Sequence, residues 1–254
     1  MSQRRIKALV TGASSGIGAE YCRQLAAFCD EIIMVARREQ PMAELAAQLR
    51  ANGTEVHVIV ADLTDTIGVA KVVETIRQKG PLDYLVNNAG VSTHGSFTNV
   101  ALDAQRVMID LHIHATMTLS YTALPAMEER GSGVIINVSS LGAFTVLPDH
   151  AVYAASKAFL NTFSLSLQAE VLEQGVKIQC LCPGYTRTEI HQSETFKDFD
   201  ISVIPEDMWS DVGDVVTNSL VALKTDATVV VSDENSYALA KGAWQHQLQS
   251  QFPT

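Results

Sequence analysis

The chain has 254 residues, 47% of them hydrophobic and 18% charged, with a formal net charge of -10. That length suits a single α/β domain with a core of ordinary size, and no Pro/Gly/Ser-rich linker divides it. The acidic balance argues against nucleic acid or an anionic membrane as partner. No apolar stretch follows Met1 to Lys7 as a leader would, and no run of about 18 apolar residues occurs, so a soluble, cytoplasmic protein is expected.

Residues 6–11 form a short apolar run that ends at Gly12 and read as a buried strand. A helical pattern follows through Ile17, Tyr21, Leu25 and Phe28. Residues 32–36 are a second strand. Met42, Leu45, Ala46 and Leu49 then recur with helical period until Asn52 and Gly53 stop them. A third strand over 56–60, a helix through Val69, Val72, Val73 and Ile76, and a fourth strand over 82–86 follow. A longer helical segment spans about 101–127, a fifth strand 134–138, a helix from Val152 to about Glu173, and a sixth strand 176–181. The segment 185–211 has no period, with Phe196, Phe199, Ile201, Val203, Ile204, Met208 and Trp209 scattered through it. A helix over 212–223 and a strand over 228–231 close the pattern. Apolar strands alternating with amphipathic helices imply parallel βαβ units with helices on both faces, and a ligand crevice beyond the carboxyl ends of the strands.

Three groups of residues carry chemistry. Thr11 to Gly18 joins the first strand to the first helix, where a glycine-rich phosphate loop belongs. Gly12 allows the turn, Gly16 lets a pyrophosphate approach the helix N-terminus, and Gly18 lets helix and strand pack. Ser14, Ser15 and Ile17 fill the same loop. The second strand ends in Ala36-Arg37-Arg38. A carboxylate there would bond a ribose 2′-hydroxyl, whereas Arg37 suits a 2′-phosphate, so NADP(H) is favoured over NAD(H). Tyr153 and Lys157 lie one helical turn apart, with Ser140 upstream. A phenol with pKa near ~10 is a poor acid/base at neutral pH, and lowering it to about 7 takes roughly 4 kcal/mol. One ammonium at ~4 Å supplies about that much at an effective dielectric near 20. Ser140 then holds a substrate oxygen. Cys22, Cys29, Cys180 and Cys182 show no CxxC or zinc spacing and read as buried structural thiols, and no metal site is expected.

The TGASSGIG loop, Asp62, Asn87-Asn88-Ala89-Gly90, Ser140, Tyr153/Lys157 and Pro183-Gly184-Tyr185-Thr186-Arg187-Thr188 stand together in the order and spacing of the short-chain dehydrogenase/reductase family, which the chain resembles strongly over residues 5–190. The resemblance implies a single Rossmann-type domain over 1–254, a seven-stranded parallel sheet of order 3-2-1-4-5-6-7, and hydride transfer. It implies that Asp62 and Leu63 flank the adenine, that Asn88, Ala89 and Gly90 line the cofactor and steady the central strands, and that Lys157 also bonds the nicotinamide ribose. Pro183, Gly184, Thr186 and Thr188 would meet the carboxamide and phosphates. One departure is sharp. Where the family places an asparagine that joins a proton relay to the lysine, this chain has His112, expected to hold the relay water as a neutral imidazole. His94, His114 and His150 have weaker claims.

The expected activity is NADP(H)-dependent interconversion of a carbonyl and an alcohol. The loops 91–97, 141–150 and 185–209 would wall the substrate. They are largely apolar, with Arg187 and Lys197 the basic residues among them, so a neutral, fairly hydrophobic small molecule is the expected partner. The resemblance also implies a homodimer or homotetramer built on the helices 101–127 and 152–173. The rival readings are an NADP(H)-binding regulatory or scaffold protein with little turnover, and a C=N or C=C reductase on the same fold.

Overall fold

Strands with apolar residues on both faces must be covered twice, and the alternation along each strand sorts the chain into two cores. A computed structural model describes residues 4–189 and 203–250, the side chains of 246–250 excepted. Strand β1 (Lys7–Thr11) sends Ala8 and Val10 to one face and Leu9 to the other. Strand β2 (Glu31–Ala36), buried throughout, does the same with Ile32 and Met34 against Ile33 and Val35. On the first face lie α1 (Gly16–Leu25), α2 (Glu39–Ala51) and α7 (Val212–Ala222), which bury Tyr21, Met42 and Val216. On the second lie α3 (Thr66–Lys79) and α5 (Thr116–Arg130), which bury Val72, Ile76, Leu119 and Met127. Helix α6 (Ala151–Glu170) packs beside them, with Leu160 on Cys180 and Cys182.

The remaining strands are β3 (Glu55–Val60), β4 (Tyr84–Asn87), β5 (Gly133–Val138), β6 (Val176–Cys182) and β9 (Val229–Val231). The sheet is parallel throughout, in the order β3-β2-β1-β4-β5-β6-β9. This is the expected 3-2-1-4-5-6-7 arrangement, with β9 as its seventh member. Two short strands, β7 (Tyr185–Thr186) and β8 (Trp209–Ser210), pair apart from it. All four cysteines are buried and unpaired, as their spacing implied. No described helix is long and apolar enough to cross a membrane.

The structure departs from the sequence reading in four places. The fourth strand starts at Tyr84 rather than at residue 82. Leu82 is buried ahead of it, and the Asp83 carboxylate accepts the Lys7 N–H at 2.9 Å, tying down the start of β1. Helix α1 stops at Leu25, and Phe28 lies beyond it with its ring edge against Tyr84 at 5.7 Å. The segment expected as one helix is α4 (Leu102–Ile109), a π-helical turn (Asp110–Ala115) and α5 in unbroken succession. A C-terminal helix, α8 (Glu234–Ser250), was not anticipated. Tyr237, Ala240 and Trp244 share one face at helical spacing, but Tyr237 and Trp244 are exposed on it and Leu239 stands on the other side. The helix start is nonetheless marked by Asp233, whose carboxylate accepts the Ser236 N–H at 2.7 Å.

Candidate active site

Chain order reverses across the β1/β4 pair, so the connections leaving their carboxyl ends diverge and open a crevice. A cavity of about 1070 Å³ occupies it. The glycine loop forms its floor. Gly12 and Gly16 have φ of +66° and +52°, a region that L side chains rarely enter. A Cβ on Gly12 would stand 2.6 Å from Asn88 Nδ2, and one on Gly18 would stand 2.3 Å from the Gly12 carbonyl oxygen. Asn88 clamps this loop: its Nδ2 donates to Thr11 O at 2.9 Å, while Thr11 Oγ1 accepts the N–H groups of Asn88 and Ala89 at 2.9 and 3.0 Å. Ser14, Ser15, Ile17, Ala89 and Gly90 line the cavity, whereas Gly18 only packs behind it.

At the end of β2 the two arginines point differently. Arg38 Nη2 donates to Ser15 Oγ at 2.6 Å, and its Nη1 lies 2.9 Å from Glu189 Oε2. Arg37 faces Asp62 at 3.8 Å. Burial works against the Asp62 carboxylate, but bonds from the Thr64 N–H and hydroxyl, with Arg37 nearby, hold it below its ordinary pKa. Leu63 is buried beside it. On the far wall, a Cβ on Gly184 would collide with Ser236 Oγ of α8 at 2.0 Å. The buried Thr186 hydroxyl donates to Gly184 O at 3.1 Å, and Thr188 packs over Gly16. Pro183 O accepts the Leu141 N–H at 2.8 Å.

Ser140, Tyr153 and Lys157 meet at the inner end of the cavity. Ser140 Oγ accepts the Gly142 N–H at 3.0 Å and faces the same cavity as the Tyr153 phenol. Burial raises the phenol above its ordinary pKa, against the opposing effect of Ser140. Burial dominates over the lowering expected of Lys157. Its Nζ donates to Val138 O at 2.9 Å and stands 5.8 Å from the centroid of the tyrosine ring. Burial brings that ammonium down to about 8, a direct desolvation of the charged form.

The sequence profile of the short chain dehydrogenases matches residues 7–198. A ketoacyl reductase, HetN, from Nostoc sp. is 32% identical over 229 residues, covering 89% of this chain and 78% of that protein. A short-chain dehydrogenase from Sphingobium yanoikuyae, solved in complex with NADPH, superposes with a TM-score of 0.84 at 29% identity, covering 98% of this chain and 96% of the other. A bulky-bulky ketone specific alcohol dehydrogenase from Comamonas testosteroni gives 0.80 at 27% identity, over 99% and 98% of the two chains. The chain belongs to the short-chain dehydrogenase family.

Several residues of this short-chain dehydrogenase that build the site, Ser139, Asn137 and Ser164 among them, escaped the sequence reading. Ser139 Oγ donates to the Lys157 carbonyl at 2.8 Å. Asn87 Nδ2 donates to Asn137 Oδ1 at 2.9 Å, and Asn137 Nδ2 donates to Ser164 Oγ at 2.9 Å, a buried polar ladder from β4 through β5 to α6. Polar residues inside otherwise apolar strands were the available signal, because burial requires that they be paired. Helix α8 adds Ala238, Leu239, Gly242 and Ala243 to the cavity wall. Of the expected substrate loops, Val91, Ser92, His94, Leu141, Leu147, His150 and Tyr185 line the cavity. Phe97 is exposed, and Arg187 turns away to pair with Glu206 and cover Trp209. Phe196, Lys197, Phe199 and Ile201 lie outside the described residues. His114 pairs on the surface with Asp110 at 2.9 Å.

His112 is buried. Its Nε2 accepts the Val91 N–H at 3.1 Å, and its Nδ1 lies 2.8 Å from Ser156 Oγ. Both ring nitrogens are therefore engaged by the protein, which leaves neither for the expected relay water.

Proposed function

We propose that this short-chain dehydrogenase interconverts a carbonyl and an alcohol, using NADP(H), on a neutral, fairly hydrophobic small molecule. One observation carries the reading: Ser140, Tyr153 and Lys157 share a single cavity with the glycine loop and with Arg37 and Arg38. The loop fits a dinucleotide, since Gly12 and Gly16 adopt positive φ in the turn that leads to the α1 N-terminus, where a pyrophosphate would be met. Arg37 and Arg38 suit a 2′-phosphate, and the Sphingobium yanoikuyae relative, which binds NADPH, supports that choice. Asp62 and Leu63 would take the adenine side. Asn88, Ala89, Gly90, Pro183, Gly184, Thr186 and Thr188 would line the rest.

When bound, NADPH supplies the hydride that reduces the carbonyl carbon. The Ser140 hydroxyl holds the carbonyl oxygen, and Tyr153 gives its phenolic proton to that oxygen as negative charge develops on it. The Lys157 ammonium stabilises the phenolate left behind, and solvent returns the proton. The cavity wall contributed by Val91, Leu141, Leu147 and Leu239 excludes water and favours apolar substituents on the carbonyl. The ketone-specific relative from Comamonas testosteroni supports the substrate class. We place the protein in the cytoplasm, where its four thiols stay reduced, as a homodimer or homotetramer.

The test is NADPH consumption over a panel of aromatic and alicyclic ketones, with product identification. Turnover is expected with wild type and should fall by at least about a hundredfold in Tyr153→Phe, while NADPH fluorescence titration shows binding retained. Binding without turnover on any carbonyl selects the regulatory reading, and a reduced C=N or C=C product selects the other rival.

A further inference from the structure

The helix that crosses the sheet from Leu102 to Arg130 is broken by one π-helical turn, and His112 sits in it. Single π turns of this kind collect at functional sites because they re-aim a side chain that a regular helix would place elsewhere. Here the re-aimed ring bridges two elements. Nε2 accepts the Val91 N–H at 3.1 Å, at the start of the loop that walls the cavity. A backbone N–H only donates, so Nε2 must carry a lone pair, and in the neutral ring the proton then resides on Nδ1. Nδ1–H points at Ser156 Oγ, 2.8 Å away, and that hydroxyl spends its own proton on the Tyr153 carbonyl at 2.7 Å. Every donor in the chain runs one way, from Val91 through His112 and Ser156 to the backbone of Tyr153.

The ring and the catalytic lysine both border Gly90. A Cβ on Gly90 would stand 3.1 Å from His112 Nε2 and 3.6 Å from Lys157 Nζ. The imidazole meets the Tyr153 ring edge-on, with centroids 6.0 Å apart. We infer that His112 is a positioning residue, a strut locked in its Nδ1–H tautomer that fastens the Val91 loop to the turn of α6 carrying Tyr153 and Lys157. It does not pass the proton, because a relay needs a ring nitrogen free to exchange one. The inference rests on the reading of Ser140, Tyr153 and Lys157 as the reacting set, but its first two tests need no turnover.

Nitrogen-15 NMR of the full chain at pH 7, with His112 assigned by its absence in His112→Gln, should show a protonated Nδ1 and a pyridine-type Nε2. Hydrogen exchange at the Val91 amide should speed up by about tenfold in His112→Phe, the loss of one hydrogen bond. Kinetics then separates strut from relay. A glutamine carboxamide reaches the Nε2 position and can accept the Val91 N–H, whereas an asparagine carboxamide reaches only the Nδ1 position. His112→Gln should keep KM for the ketone near the wild-type value. His112→Asn should raise it about fivefold or more with little change in kcat. An Nε2–H tautomer, unchanged Val91 exchange in His112→Phe, or a fall in kcat alone in both amide variants overturns the inference. Should a variant fail to fold, the tautomer of the wild-type ring still decides. Should no carbonyl be turned over, the tautomer and exchange results stand apart from that failure.

Discussion

Arg38, resting on Ser15 and Glu189, is already drawn onto the glycine loop, whereas Arg37 stands more open and faces Asp62 at 3.8 Å. A 2′-phosphate placed between the two guanidinium groups would gain charge-assisted bonds of about 1.5–3 kcal/mol. Arg37→Asp removes one such bond and adds a repulsion. The ratio of kcat/KM for NADPH over NADH should therefore fall by at least about tenfold. Equal use of the two cofactors by wild type would sink the assignment. His112 offers a test by pH. Burial first, and Lys157 second, hold its imidazole well below its ordinary pKa, so the folded chain keeps it neutral while the unfolded chain protonates it near ~6.5. The unfolded state then binds the extra proton, and stability is lost as pH falls below that value. Urea midpoints of wild type and His112→Gln should converge, or cross in favour of the variant, between about pH 6.5 and 5. A constant difference across that range would count against a buried neutral ring.

At the scale of elements, helix α6, which carries Tyr153 and Lys157, is held to the sheet by polar as well as apolar contacts. Asn137, fully buried on β5, joins Asn87 on β4 to Ser164 on α6. Asn137→Ala strands a buried amide donor and a buried hydroxyl at once, each costing about 1–3 kcal/mol. Denaturant titration should show a loss of roughly 2–4 kcal/mol, and kcat should drop with it because Tyr153 and Lys157 ride on the same helix. A loss below about 1 kcal/mol would mean that the ladder is not what seats α6.

For the whole molecule, the outer faces of α5 and α6 are more apolar than a solvated face requires. Tyr121 is 83% exposed and Leu165 is 51% exposed, with Met117 one turn before Tyr121 and the Phe159 and Phe163 rings stacked at 5.6 Å nearby. Exposed apolar side chains of this kind on two successive helices suit a twofold interface. Sedimentation at micromolar concentration should show a dimer or tetramer, and the double variant Tyr121→Asp/Leu165→Asp should shift it toward monomer. A wild-type monomer under those conditions would refute the assembly.

How much of this was legible beforehand depends on whether a feature is local. Strand and helix identity over most of the chain follows from the spacing of apolar residues, because alternation and helical period reflect which side chains can share a face. The glycine loop and the Tyr153/Lys157 pair could likewise be read from sequence, because their chemistry needs fixed residue types a few positions apart. Helix α8 stayed hidden because it is anchored by its cap and by Ser236 against Gly184, a contact between residues 52 positions apart in the chain, rather than by an amphipathic stripe. The burial that raises the Tyr153 phenol was hidden for a similar reason. The sequence places an ammonium one turn away, but only the packed structure shows it turned to Val138 O, leaving burial to dominate. His112 is the clearest division. Its identity and helical setting are in the sequence. That both its nitrogens are consumed depends on a π turn and on Val91 and Ser156, which the tertiary fold brings to the ring from 21 and 44 residues away.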